Sequence, residues 1–74
     1  MKKRYTITGS ATQAEFDQLV RLNPQMYCLF NSTVYNDQGQ RCQEMIVETK
    51  LDPAEVQSYF SPFTVVQGCR ALGY

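Results

Sequence analysis

Residues 26–50, MYCLFNSTVYNDQGQRCQEMIVETK, decide the fold of this chain. The segment from Met26 to Tyr35 is rich in aromatic and β-branched residues and carries no charge, which is typical of a strand. Asn36 to Gly39 indicates a loop in which the glycine supplies a left-handed position. Arg41 to Lys50 then returns as a second strand, so the stretch is a predicted β-hairpin.

The loop also predicts the register of the hairpin. If Tyr35 faces Gln40, then Leu29 faces Ile46, and both lie on the same face as Tyr27. The opposite face then holds a second apolar set: Met26, Cys28, Phe30, Met45 and Val47. Both faces of the hairpin are therefore expected to carry apolar side chains.

A helix start lies on each side of the hairpin. Thr12-Gln13-Ala14-Glu15 has the form of a capping box, and Asp52-Pro53-Ala54-Glu55 puts Asp at the N-cap and Pro at the first helical position. Asn23-Pro24 and Ser61-Pro62 end the two helices, because the residue before a proline is disfavoured in a helix.

Two further strands complete the pattern. Arg4 to Thr8 alternates, with Tyr5 and Ile7 on one face, and residues 63–67 form the last strand. The order β-α-β-β-α-β in one domain, residues 1–74, predicts an α+β, ferredoxin-like two-layer sandwich with an antiparallel sheet and both helices on one face. The alternative is a looser α+β sheet in which the last strand or the tail pairs differently.

Length and cysteine usage point to a partner. A chain of 74 residues buries only about 60% of its unfolded surface, so small domains of this size often need a disulfide, a metal or a partner subunit. The sequence has no histidine, and its cysteines, Cys28, Cys42 and Cys69, form no Cys-x-x-Cys pair. We therefore expect reduced, mostly buried thiols, no metal and no cofactor, which leaves a partner.

Charge and hydropathy exclude other classes of protein. Seven Lys and Arg balance seven Asp and Glu, whereas proteins dedicated to binding duplex nucleic acid usually carry a basic excess. No segment approaches the ~20 apolar residues of a membrane span, and no apolar stretch follows the N-terminal charges as in a signal peptide. We expect a cytoplasmic protein with no membrane contact.

The sequence also lacks the usual catalytic groups. Histidine is absent, which removes the commonest general base. Glu44 and Glu48 lie on one strand face, roughly 13 Å apart at the rise of a strand, which is too far for a typical pair of glycosidase carboxylates. We expect that the protein is not an enzyme.

The predicted protein interface is made of Tyr27, Leu29, Tyr35 and Ile46. If the helices cover the other face, these side chains point outward as a contiguous apolar patch. Residues 25–35 also contain no charge, and an edge strand without protecting charges invites pairing with another strand. Two questions stay open: whether a tail with Ala71, Leu72 and Tyr74 covers this face, and whether the strand is at an edge.

These features predict a small protein-interaction module, expected to be a homodimer, that acts as an adaptor, regulator or inhibitor. Its size fits a small phage or mobile-element protein. The alternative is a weak RNA or single-stranded DNA binder that uses Lys2, Lys3, Arg4 and Tyr5. RNA-recognition domains with this element order stack bases on aromatics of the first and third strands, but residues 41–50 contain no aromatic.

Overall fold

The computed structural model describes residues 2–68. Its elements in chain order are β1 (Lys3–Gly9), α1 (Gln13–Arg21), β2 (Met26–Tyr35), β3 (Arg41–Thr49), α2 (Pro53–Tyr59) and β4 (Thr64–Gln67). The predicted order of strands and helices is confirmed. The predictions for Cys69 and for the tail with Ala71, Leu72 and Tyr74 lie outside the described residues.

Both helices begin where their capping residues predict. The N–H of Glu15 donates to Oγ1 of Thr12 at 3.1 Å, and the N–H of Thr12 donates back to Oε1 of Glu15 at 3.2 Å. Before α2, the N–H of Asp52 donates to Oε1 of Glu55 at 3.3 Å, and Pro53 is the first helical residue. These bonds satisfy amides that a helix leaves free, and so fix where the chain leaves the sheet.

The four strands form one antiparallel sheet in the order β2-β3-β1-β4. β3 and β1 are central, and β2 lies at an edge of the sheet. The edge position of β2, on which the predicted interface depends, is therefore observed. The protein is an α+β domain with a four-stranded antiparallel sheet and two helices.

One face of the sheet carries the core. Tyr5 and Ile7 pair with Val47 and Met45, so their side chains share a face. They form one buried cluster with side chains of both helices, of β2 and of the residue that follows α2: Phe16, Val20, Met26, Val56 and Phe60. Burying a large apolar side chain contributes roughly 1.5–3 kcal/mol, so this cluster holds the helices against the sheet.

β2 contains a bulge at Leu29 that its sequence pattern does not predict. Cys28 lies opposite Val47 as expected, but Phe30 lies opposite Ile46, where Leu29 was expected. The predicted register is correct before the bulge and wrong by one residue after it.

The reason for the shift is the loop at the end of the hairpin. Tyr35 faces Arg41, not Gln40, because the loop runs from Asn36 to Gln40. The N–H of Gly39 donates to the carbonyl of Asn36 at 2.9 Å, and Gly39 has a φ of 75°, as in a turn followed by a left-handed residue. The loop is thus one residue longer than predicted, and the bulge absorbs that residue.

Gly9 ends β1 beneath the ring of Phe63. A Cβ at Gly9 would lie 2.3 Å from Cδ1 and 3.0 Å from Cγ of that ring. The ring packs edge to face on buried Phe16, with centroids 5.0 Å apart. It cannot move aside without disturbing the core, so this close approach requires a glycine.

We expect Gly9→Ala to lower the free energy of unfolding by about 1–3 kcal/mol, the usual cost of overpacking. Urea unfolding followed by circular dichroism measures this change. The same substitution in a Phe63→Ala background should cost much less, because the clashing ring is gone. Ser10→Ala, at the exposed neighbouring position, is the matched control, and equal costs in the two backgrounds would contradict the explanation.

Candidate functional site

The residues of the predicted interface do not form one patch. Tyr27, Leu29 and Tyr35 are exposed on β2, with 65%, 39% and 69% of their surface accessible. Ile46 is completely buried, so its predicted place on an exposed surface is wrong. It lies on the central strand β3 and is flanked by paired residues of both neighbouring strands.

The bulge separates the two tyrosines. Tyr27 pairs with Glu48, whose neighbour Val47 belongs to the core, so Tyr27 lies on the face away from the helices. Tyr35 pairs with Arg41, an even number of residues from Val47, and therefore lies on the helix side. The prediction that both tyrosines share a face is wrong. What the exposed residues share is the free edge of β2.

The tip of the hairpin extends beyond the rest of the sheet. β1 pairs with β3 only as far as Gln43, whereas β2 and β3 continue to pair as far as Tyr35. Oδ1 of Asn36 accepts the N–H groups of Gln38 and Gln40, each at 2.9 Å. Exposed Tyr35 therefore lies next to a loop whose shape is fixed by hydrogen bonds within the loop.

The loop also determines which backbone groups of β2 face the free edge. The N–H of Asn36 donates to the carbonyl of Gln40 at 3.0 Å, so Asn36 directs its backbone groups toward β3. Every second residue back to the bulge does the same, because this direction alternates along an antiparallel strand. The N–H and C=O groups of Asn31, Thr33 and Tyr35 therefore point outward.

These outward N–H and C=O groups form the outward row of β2. The row lies in the segment from Phe30 to Tyr35, which contains no charge and no proline. Within residues 2–68, no strand pairs with this side of β2. Charges, prolines and bulges are the usual devices that protect a sheet edge. Here the bulge at Leu29 interrupts only the beginning of the strand, and the segment from Phe30 to Tyr35 stays regular.

A chain of polar side chains ties this edge to α1. Oγ1 of Thr33 donates to Oε1 of Gln43 at 3.1 Å, and Nε2 of Gln43 donates to Oδ1 of Asn31 at 2.6 Å. Nδ2 of Asn31 then donates to the carbonyl of Gln13 at 3.2 Å. Gln43 is buried, and leaving such a group without a partner costs about 1–3 kcal/mol. These side-chain hydrogen bonds therefore fix the orientation of Asn31 and Thr33. The sequence pattern did not predict a role for either residue.

The basic N-terminus is paired with carboxylates. Nζ of Lys2 and Nε of Arg4 lie 3.9 and 3.2 Å from the carboxylate of Glu48, and Nζ of Lys3 lies 3.1 Å from that of Asp52. The hydrogen bond with Asp52 is the main cause that raises the pKa of Lys3. Phosphate groups would have to compete with these carboxylates, which weakens the nucleic-acid interpretation.

Tyr5 does not serve as a stacking platform. Its side chain is completely buried in the core, and its hydroxyl donates to the carbonyl of Leu51 at 2.8 Å. A base can stack only on an exposed ring. The predicted nucleic-acid role of Tyr5 is therefore wrong, because the residue lies on the helix side of the sheet.

The two described cysteines are free thiols. Sγ of half-buried Cys28 donates to the carbonyl of Phe30 at 3.5 Å, across the bulge. Burial raises the pKa of the Cys28 thiol, and the charge of Asp17 adds to the effect. A thiol that stays protonated is a weak nucleophile. Within residues 2–68, no group of three or more His, Cys, Asp or Glu residues could hold a metal ion.

A groove of about 550 Å³ lies between α1 and residues 59–63. Its lining includes Leu19, Tyr59, Pro62 and Phe63. The hydroxyl of Tyr59 donates to the carbonyl of Leu19 and so links α1 to α2. No sequence pattern predicts this groove, because it forms between segments that are distant in the chain.

A scan against protein-family models finds no match to this chain, and searches of curated proteins and of solved structures find none either. In the part of the chain that the structure describes, no helix has the length and apolar character needed to cross a membrane.

We expect a variant with Cys28 as its only cysteine (Cys42→Ser, Cys69→Ser) to react with iodoacetamide at a higher midpoint pH when folded than when unfolded in guanidinium. Burial favours the protonated thiol in the folded state, so the raised pKa lowers the free energy of unfolding as pH rises through the range between the unfolded and folded values. The rate of alkylation against pH measures both midpoints. A folded midpoint at or below the unfolded one would contradict the effect of burial.

Proposed function

We propose that the protein is a non-catalytic protein-interaction module that binds by accepting a partner strand along the free edge of β2. The proposal rests on one observation. Phe30 to Tyr35 forms a regular edge without charge or proline, and its outward backbone groups have no partner strand within residues 2–68. In strand addition, main-chain hydrogen bonds supply affinity and alternate side chains supply specificity.

Tyr35 is the proposed anchor of the interface. It is 69% exposed and lies at the end of β2, beside the loop held by Asn36. Tyrosine offers a large contact area with few rotatable bonds and is common at interface hot spots. A support that is already ordered loses little entropy on binding, so the position favours tight contact with a partner.

The engagement of the acidic and thiol groups supports a role without catalysis. Glu15 and Glu55 are used in helix capping, and Glu48 lies between two cations. The raised pKa of Cys28 disfavours a thiolate nucleophile. An adaptor, regulator or inhibitor requires only a surface, and the free edge provides one.

The proposal includes the fold family and the cellular location. The sheet order β2-β3-β1-β4 together with the chain order β-α-β-β-α-β supports a ferredoxin-like fold. Cys28 and Cys42 are free thiols, the form that the reducing cytosol maintains, which supports a cytoplasmic location.

We expect a photo-crosslinking amino acid at Tyr35 to give a discrete protein adduct in the cells that make this protein, because a strand on the free edge would lie beside it. Denaturing electrophoresis and mass spectrometry detect the adduct. Adding Thr33→Pro should abolish it, since proline removes an outward N–H without removing a backbone hydrogen bond to β3. The substitution also removes the side-chain bond from Thr33 to Gln43, so the fold of the variant is checked separately.

The matched control carries the same crosslinker at Leu22, which is 67% exposed and follows α1. Urea unfolding shows whether the Thr33→Pro variant keeps its fold. The proposal fails if the two probe positions give the same adducts, or if the Tyr35 adduct survives Thr33→Pro in a folded protein.

A further inference from the structure

The outward row of β2 is complementary to a second copy of itself. In a symmetric pair the same segment lies against itself, so any net charge on it would repel its copy. Residues 25–35 carry no charge, and each outward residue offers one donor and one acceptor. This inference rests on the proposed function and names its partner.

Symmetry limits the possible registers. Two antiparallel edges of identical chains are related by a two-fold axis perpendicular to the sheet. That axis keeps the helices of both copies on the same side, so a residue must face a residue from its own side of the sheet. Because sides alternate along the strand, the axis must pass midway between the two copies of one residue. That residue is described below as lying on the axis. In the middle of the regular segment that residue is Ser32 or Thr33.

Hydrogen bonding selects Thr33. With Thr33 on the axis, Asn31 faces Tyr35 of the second copy, and every outward N–H and C=O of the three residues finds a partner. With Ser32 on the axis, Tyr35 would face the bulged residue Leu29 of the other copy, and the ladder would end before its outward groups are paired.

The side chains are compatible with the Thr33 register. The Thr33 side chains of the two copies lie opposite each other on the helix side, and threonine pairs are favourable across strands. Asn31, already held by Gln43 and by the carbonyl of Gln13, lies beside the exposed ring of Tyr35 from the other copy. No charged pair of the same sign is brought together.

The geometry points to a homodimer in which the segments from Phe30 to Tyr35 pair antiparallel across a two-fold axis at Thr33. The two sheets then form one continuous sheet with all helices on one side.

The direct test places charges on the axis. Thr33→Lys and Thr33→Glu each bring two like charges together, and each should raise the dimer dissociation constant by about a hundredfold. An equimolar mixture of the two variants should dimerise again, because opposite charges then meet. Sedimentation equilibrium distinguishes the 8.5 kDa chain from its dimer. Leu22→Lys and Leu22→Glu, at an exposed site after α1, should leave the dimer unchanged.

Amide hydrogen exchange by NMR tests the register without substitutions. The amides of Asn31, Thr33 and Tyr35 should become protected as the concentration of the wild-type protein rises. Those of Ser32 and Val34, which bond to β3, should be protected at every concentration.

A wild-type protein that stays monomeric at millimolar concentration overturns the homodimer. The Tyr35 crosslinking then decides the proposed function. An adduct with a different protein supports that function, and the absence of any adduct overturns it as well as the homodimer. A dimer that persists with Thr33→Lys alone, or that protects other amides, overturns the Thr33 register.

Discussion

The loop of the hairpin and the core impose registers on β2 that differ by one residue. Hydrogen bonds within the loop set Tyr35 opposite Arg41, whereas burial of the helix-facing side chains sets Cys28 opposite Val47. Both registers are kept, because backbone hydrogen bonds hold the loop register and apolar burial holds the core register. The mismatch is taken up by the bulge at Leu29, and the properties of the free edge follow from it.

The bulge gives the two parts of β2 different roles. Before it, Met26 and Cys28 point into the helix-covered face and belong to the packing of the domain. After it, the alternation is reversed, and the helix side carries Asn31, Thr33 and Tyr35, which are polar or exposed. A bulge also increases the local twist of a strand. The regular, uncharged part of the edge is thus set apart from the part that serves the core.

The features of the fold that depend on neighbouring residues were predicted from the sequence. The features that depend on contacts between distant residues were not. Thr12 and Pro53 were readable because capping depends on neighbours in the sequence, and the bounds of β2 followed from its composition. The bulge was not readable, because it arises from a loop and a core that are distant from each other. The link from Gln43 to α1 likewise depends on segments that come together only in the folded protein.

The absence of charge at the end of the free edge is not required by the fold. Tyr35 is exposed, so lysine at that position would leave the core intact and protect the edge. Elsewhere the same sheet does place charges at accessible positions: Arg4 on β1 and Glu48 on β3 form an ion pair at 3.2 Å. An edge that is uncharged where charge would be harmless to packing supports the proposal that a partner strand pairs with β2.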